Sequence, residues 1–341
     1  MAEHSTAVLS ELSRFARAAA HPTVGRVPAP RDPCRACGNT PAAPGRTAAD
    51  VLADRADGTV VRHGAAVAKA HAPGTDPAGH AARVAVAAAP ALRGILLPPL
   101  PLPLPLADAT VAGRPVTAWP YGAPVDPSDP DAAPWAETAR LLALLHRTPP
   151  PATAAGPLPP HRGPAKAAHA VARLTAKLPH PAAAPVLRAW AGLPAWARDE
   201  APPPRGDVLC HGDLHLGQLV RHPAPDGPWL LIDVDDLGLG EPAWDLARPA
   251  AWYAAGILPP EIWSDFLGAY RASGGPAVPA DGDPWPQLDV PARALTVQTA
   301  ALALVKSTEE DRPLDEVEQV MIDTCARIAS VRTELDGLAS S

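Results

Sequence analysis

The chain has 341 residues, 47% of them hydrophobic and 19% charged, which is enough for two cores and too apolar for a disordered segment. A formal net charge of −7 argues against a nucleic-acid surface, which needs clustered Lys and Arg, and would suit a polar or cationic small-molecule partner. Four cysteines are too few for a disulfide scaffold, the N-terminus lacks the pattern of a signal peptide, and no stretch nears ~18 uninterrupted apolar residues, so the expected place is the cytoplasm with no membrane contact.

Proline is unusually frequent at 47 residues, and lysine is scarce, standing only at 69, 166, 177 and 306. The spacing of Val8, Leu9, Leu12 and Phe15 predicts a helix over 6–20. Residues 21–47 are Pro-rich. Within them Cys34 and Cys37 form one CxxC, but no further zinc ligands follow at suitable spacing. From 48 the pattern changes to short strands. Asp57-Gly58 and His63-Gly64 are turn signals that bracket Thr59–Arg62 and precede Ala65–Ala70. Lys69 lies inside that apolar run, where a charge needs a partner.

Residues 77–92 permit a helix. Pro98–Leu106 alternates Pro and Leu and must run extended, lying on its own lobe. Arg114–Tyr121 reads as a strand ending at Pro120. After 134 the chain turns helical, and Leu141, Leu142, Leu144, Leu145 and His146 end one helix before a Pro run. Trp263, Phe266, Leu267 and Tyr270 share a helical face. So do Val317, Val320, Met321, Thr324, Ile328, Val331 and Leu335, and both faces read as core. The fold class is α+β, in two lobes. A helix and extension (1–47) precede a small strand-rich lobe (48–121) with a hinge near 118–122, and a larger, mostly helical lobe (122–341) follows.

Residues 208–247 carry the chemistry. Two apolar strands, around Leu219–Val220 and Trp229–Val234, flank a turn at Pro225, Asp226 and Gly227. A polar loop with His211, Asp213, His215 and Gln218 precedes the first strand; Asp233, Asp235 and Asp236 close the second. Such a hairpin is expected to bring the loop and the strand end to one edge. Two carboxylates and an amide are the inventory phosphoryl transfer needs: one carboxylate to orient a hydroxyl, and oxygen donors to hold magnesium against phosphates.

Other readings of the same residues fail. His211 and His215 have zinc-helix spacing, but Gly212 stands where the Glu should be. Gly238–Ala243 mimics a dinucleotide fingerprint, but Pro259-Pro260 occupies the place of the required acidic strand end. A Walker-type G-x-x-x-x-G-K does not occur. Asp235 and Asp236 read either as lining for a cationic substrate or as caps of the following turn.

The segment resembles the H-G-D-x-x-x-x-N and hydrophobic-I-D motifs of the aminoglycoside phosphotransferase and choline kinase superfamily. Here the two read His211-Gly212-Asp213-Leu214-His215-Leu216-Gly217-Gln218 and Leu231-Ile232-Asp233. Gly240–Ala247 resembles the family's G-D-P-A-x-D-L-A. The resemblance implies a two-lobed protein-kinase-like fold and an O-phosphotransferase that uses ATP or GTP and Mg2+ on a small hydroxylated molecule, as in antibiotic resistance. By position it makes Asp213 the catalytic, hydroxyl-orienting residue and Asp233 and Gln218 the magnesium ligands. Lys69 becomes the contact to the α- and β-phosphates, and Ala118, Trp119 and Tyr121 the hinge that meets the base. His211 and Asp245 become structural supports of the loop, and His215, Asp235, Asp236 and Glu241 fall on the acceptor side.

The sequence departs from the family in three places. Gln218 replaces Asn, residues 77–93 contain no acid to pair Lys69, and the phosphate-covering turn near Asp54–Gly58 has one Gly. A Ser/Thr kinase of a biosynthetic peptide, or a non-catalytic nucleotide-binding regulator, would use the same fold.

Overall fold

The computed structural model describes residues 2–21, 50–55, 58–102 and 108–339; Cys34, Cys37, Asp57 and the end of the Pro-Leu run lie outside them. In chain order the elements are α1 (Ala2–Ala20), β1 (Asp50–Arg55), β2 (Gly58–His63), β3 (Ala66–Ala70), α2 (Pro77–Ala87), β4 (Thr110–Val111), β5 (Arg114–Pro120) and β6 (Ala123–Pro124). Next come α3 (Trp135–Arg147), α4 (Gly163–Thr175), α5 (Ala183–Ala191), β7 (Val208–Cys210), β8 (Leu219–Arg221), β9 (Trp229–Leu231) and β10 (Gly238–Gly240). The chain ends with α6 (Ala247–Ala254), α7 (Pro260–Ala272), α8 (Trp285–Glu310) and α9 (Glu316–Ala339). The mixture is α+β, with a small antiparallel sheet and many helices.

The contacts divide the chain into two compact units. The first is Met1–Val125 with Pro151–Leu158 and Leu219–Asp235; the second is Asp126–Pro150, Pro159–Gln218 and Asp236–Ser341.

In the first unit a five-stranded antiparallel sheet has the order β1-β2-β3-β5-β4. Gly64, at φ 57, supplies the left-handed residue that lets β2 turn into β3. Leu12 and Ala16 of α1 pack on Val61, Ala68, Ala70 and Val116, all fully buried, so the apolar stripe of α1 covers one sheet face. Asp76 starts α2 by accepting the Gly79 N–H at 2.7 Å, with Pro77 as the first helical residue. A second, three-stranded sheet of order β6-β8-β9 belongs to the same unit. Leu97 and Leu231 exchange backbone bonds with the chain beside them, Leu97 N–H to Leu231 and Leu231 N–H to Ile95, each at 2.9 Å.

The second unit is built on α4, α5, α8 and α9, whose buried contact residues include Leu174, Val186, Leu304 and Met321. Helix α8 is apolar and long enough to cross a membrane by composition, and most of it is buried inside this unit. On α7, Trp263, Phe266, Leu267 and Tyr270 all face the core. On α9, among the described residues, Met321, Ile322, Thr324 and Cys325 are buried and Ile328 packs against the same core, whereas Val317 is 48% exposed; the side chains of Val331 and Leu335 lie outside the described residues.

Candidate active site

In the second unit the loop carrying Asp213 begins where β7 ends. Strand β7 pairs antiparallel with β10, Cys210 opposite Gly238, which sets the loop beside Asp236. Gly212 holds φ 86, and a Cβ there would collide with the Asp236 carbonyl, so only glycine fits.

A buried carboxylate fixes the loop backbone. Asp245 accepts the N–H of His211 at 2.6 Å and of Gly212 at 2.8 Å. It also meets His146 Nε2 at 3.0 Å. The other His146 nitrogen lies 2.7 Å from the Tyr270 hydroxyl, whose oxygen accepts the Ala277 N–H at 3.0 Å. The phenol therefore donates to Nδ1, and Nε2–H donates to Asp245. Burial works against the charge of Asp245, and the His146 hydrogen bond outweighs it, holding the carboxyl below its ordinary range.

Asp213 has two cationic partners. Lys166 of α4 places Nζ 2.6 Å from Oδ2, and Arg248 of α6 places Nη2 2.9 Å from Oδ1. Arg248 also donates from Nε to the Leu214 carbonyl at 2.9 Å. Burial penalises the carboxylate, but Lys166 and Arg248 overcome it and bring the pKa down to about 2. Lys166 reaches Asp236 Oδ2 as well, at 2.7 Å, and Arg162 lies 3.6 Å from the other oxygen.

Gln218 ends a 3-10 turn, Leu216–Gln218, and is buried; its N–H donates to the His215 carbonyl at 2.8 Å. His215 Nδ1 accepts the Gly217 N–H at 3.1 Å. With Trp135, Leu214, Arg248 and Trp252 the His215 ring lines a small recess. Glu241 caps the turn that follows it, accepting the Ala243 N–H at 3.3 Å, and burial raises its pKa.

In the first unit the hairpin β8–β9 pairs Leu219 with Leu231. The second strand stops at Leu231, short of the expected Val234, and Asp233 follows at φ 64, a left-handed conformation costly for a non-glycine residue. Lys69 on β3 puts Nζ 2.7 Å from Asp233 Oδ1 and 3.0 Å from Asp235 Oδ2. Burial opposes its charge, and the two carboxylates more than offset that, raising its pKa. The missing helix acid is thus replaced from elsewhere: Asp76 is occupied as the α2 cap, and Asp233 and Asp235 take the lysine. Asp235 also meets His71 Nδ1 at 2.8 Å.

Asp235 faces Lys69 and His71, Asp236 faces Lys166 and Arg162, and Glu241 accepts the Ala243 N–H, so the two aspartates already meet resident bases. At the expected hinge, the Ala118 carbonyl accepts the Leu100 N–H at 2.8 Å and the Tyr121 N–H donates to Ala65 at 2.7 Å. The Tyr121 carbonyl faces His222 Nδ1 at 3.1 Å. Trp119 donates Nε1–H to Thr117 Oγ1 at 2.8 Å.

Sequence reasoning missed Lys166, Arg248 and His71. Lysine scarcity was the available signal for Lys166, and Arg248 directly follows the Asp245-Leu246-Ala247 motif.

The family model described as "Phosphotransferase enzyme family" (APH) matches residues 51–287. No curated protein matches the chain. Among solved structures, the choline kinase from Cryptosporidium parvum Iowa II is 10% identical, covering 84% of this chain and 90% of its own, at a TM-score of 0.53. A thermostable mutant of aminoglycoside phosphotransferase APH(4)-Ia, in its apo form, is 14% identical over 82% of this chain and 94% of its own, with a TM-score of 0.52. A ternary complex of that protein with AMP-PNP and hygromycin B matches at 15% identity, 82% and 93% coverage, and a TM-score of 0.52. At these identities the solved structures show a shared kinase-like fold.

Proposed function

From the premise that this chain belongs to the phosphotransferase enzyme family, we propose that it transfers the γ-phosphoryl group of ATP or GTP, with magnesium, to a hydroxyl of a small polar molecule. The observation that carries this reading is Lys69, a half-buried cation held 2.7 Å from Asp233, because phosphates need such a fixed charge beside an oxygen-donor metal ligand.

Asp233 offers a carboxylate, the hard oxygen ligand magnesium takes, and would hold the ion, which when bound offsets charge on the phosphate oxygens; Gln218 offers an amide oxygen of the same kind. Lys69 binds the α- and β-phosphates. Asp213 accepts a hydrogen bond from the acceptor hydroxyl and aims its oxygen in line with the phosphorus. With a pKa near 2 it is a weak proton acceptor, which suits a loose transition state where the hydroxyl proton leaves late. Asp245, through the His211 and Gly212 amides, fixes where Asp213 points. Trp119 and Tyr121 border the nucleotide base.

The acceptor is a small polar or cationic hydroxyl compound; Asp235 and Asp236 already face resident bases, so its recognition need not draw on their charge. The recess lined by Trp135, His215 and Trp252 supplies apolar contact. Cytoplasmic location, and a role in antibiotic resistance if the acceptor is an antibiotic, belong to the same proposal. The test is an acceptor screen with Mg-ATP and Mg-GTP, read by mass spectrometry as addition of one phosphoryl group. No product with any hydroxyl compound and no nucleotide binding would refute the reading. Tight nucleotide binding without turnover would favour the non-catalytic regulator, for which Gln218 in place of Asn is the motivating residue.

A further inference from the structure

The two carboxylate partners of Lys69 are not equivalent. Asp233 is proposed for the metal, so with the ion bound the lysine would share that carboxylate with it. Asp235 gives Oδ2 to Lys69 at 3.0 Å and Oδ1 to His71 at 2.8 Å. His71 is 1% exposed, and its Nε2 lies 2.7 Å from Thr117 Oγ1. That oxygen in turn accepts the indole N–H of Trp119 at 2.8 Å.

An indole nitrogen only donates, so Thr117 Oγ1 accepts from Trp119, and the same hydroxyl meets His71 Nε2. The Nδ1 side of the ring stands 2.8 Å from Asp235 Oδ1, a close contact rather than an aligned hydrogen bond, and the remaining oxygen of Asp235 faces Lys69.

We propose that this relay makes Asp235 the standing counter-ion of Lys69, with His71 and Thr117 as positioning residues that hold the lysine ready for nucleotide phosphates, in place of an acid from α2. The proposal rests on the reading of Lys69 as the phosphate contact. Helix α2 instead presents His80, whose ring packs 4.2 Å from that of His71. His80 is 3% exposed and covers the His71–Asp235 contact, which keeps it out of water. His71, His80 and Asp235 also have ligand atoms within 4.8 Å of one another, a spacing that would suit a metal. The Lys69 ammonium, 3.0 Å from Asp235, disfavours a second cation at that carboxylate.

The test is calorimetric binding of the magnesium complexes of non-hydrolysable ATP and GTP analogues to wild type, Lys69→Ala, His71→Phe and the double variant. His71→Asn keeps an N–H near the Nδ1 position and serves as the conservative rescue. His71→Phe should weaken the better analogue roughly five- to tenfold and His71→Asn less than about threefold, while His71→Phe should add nothing once Lys69 is alanine. In turnover the change should fall on nucleotide KM more than on kcat. Wild-type binding by Lys69→Ala would overturn the reading of Lys69 itself, and this proposal with it. Weak binding by Lys69→Ala together with unchanged or fully additive effects of His71→Phe would leave Lys69 in place and overturn the relay alone. Should His71→Phe not fold, Thr117→Val breaks the same chain one step earlier and is held to the same outcomes.

Discussion

The ammonium of Lys166 lies 2.6 Å from one carboxylate oxygen of Asp213, while Arg248 faces the other at 2.9 Å. A carboxylate gripped from both sides stays ionised and fixed in direction, which suits it to steer a hydroxyl rather than to store a proton. Asp213→Asn keeps the shape and removes the charge. Its kcat should fall by roughly 10²–10⁴ while affinity for the Mg-nucleotide stays within a few-fold. Turnover at the wild-type rate in a coupled ADP assay would remove Asp213 from the catalytic role.

The same ion pair sets a pH window. The folded pKa of Asp213 is about 2, below its ordinary 3.8, so the stability it contributes is present above pH ~4 and lost as pH falls toward 2. Lys166 is raised above 10.5, burial opposing and Asp236 and Asp213 outweighing it, so its contribution is complete below that pH and lost as pH rises through the raised value. The stability difference between wild type and Asp213→Asn should be flat from pH ~5 to ~9 and shrink at the acid end. A difference that vanished by pH 6 would show that the pair is not formed.

Asp235→Asn separates the two readings of that residue. If it held a cationic acceptor, acceptor KM would rise. Paired with Lys69 and His71 as it is, its loss should raise nucleotide KM several-fold and leave acceptor KM within about twofold. Steady-state kinetics with each substrate varied in turn decides between them.

How much of this was legible in the sequence depended on whether the signal was local. The strands around Lys69 and the hairpin before Asp233 follow from turn residues and alternation, although the hairpin's second strand ends at Leu231 and not at Val234. Helix α8 has no polar stripe because it is buried on nearly every side, so amphipathic periodicity could not reveal it. The counter-ions were hidden for a different reason. Lys166 and Arg248 are 47 and 35 positions from Asp213, His71 is 164 from Asp235, and residue spacing carries no information about such pairings.

Asp245 should be a stability residue before it is anything else. Its side chain is fully buried and accepts from His211, Gly212 and His146, so Asp245→Ala leaves three donors without an acceptor. The expected cost is about 3–5 kcal/mol, and Asp245→Asn, which keeps one acceptor oxygen, should cost less. Urea unfolding of both variants measures it. A loss below about 1 kcal/mol for the alanine variant would mean that the loop does not depend on this clamp.

Gln218 is the residue on which the catalytic reading is most exposed. Its amide oxygen is the same donor as that of the Asn the family carries there, on a side chain one methylene longer. It closes a 3-10 turn held by the Gln218 N–H to the His215 carbonyl at 2.8 Å, so its backbone position is set by the loop and not by a ligand. If the oxygen ligates magnesium, directly or through water, Gln218→Ala should lose most activity and require more magnesium for half-maximal rate. Gln218→Asn should keep a measurable part, because the donor survives at a shorter reach. Gln218→Glu should bind the metal at least as tightly, since a charged oxygen is the harder ligand. Titrating magnesium at fixed nucleotide for the three variants separates a lost ligand, which shifts the midpoint, from a disturbed loop, which lowers the plateau alone. Full activity with an unshifted midpoint in Gln218→Ala would show that the position is not a ligand, and Asp233 would then have to hold the ion with partners other than this amide.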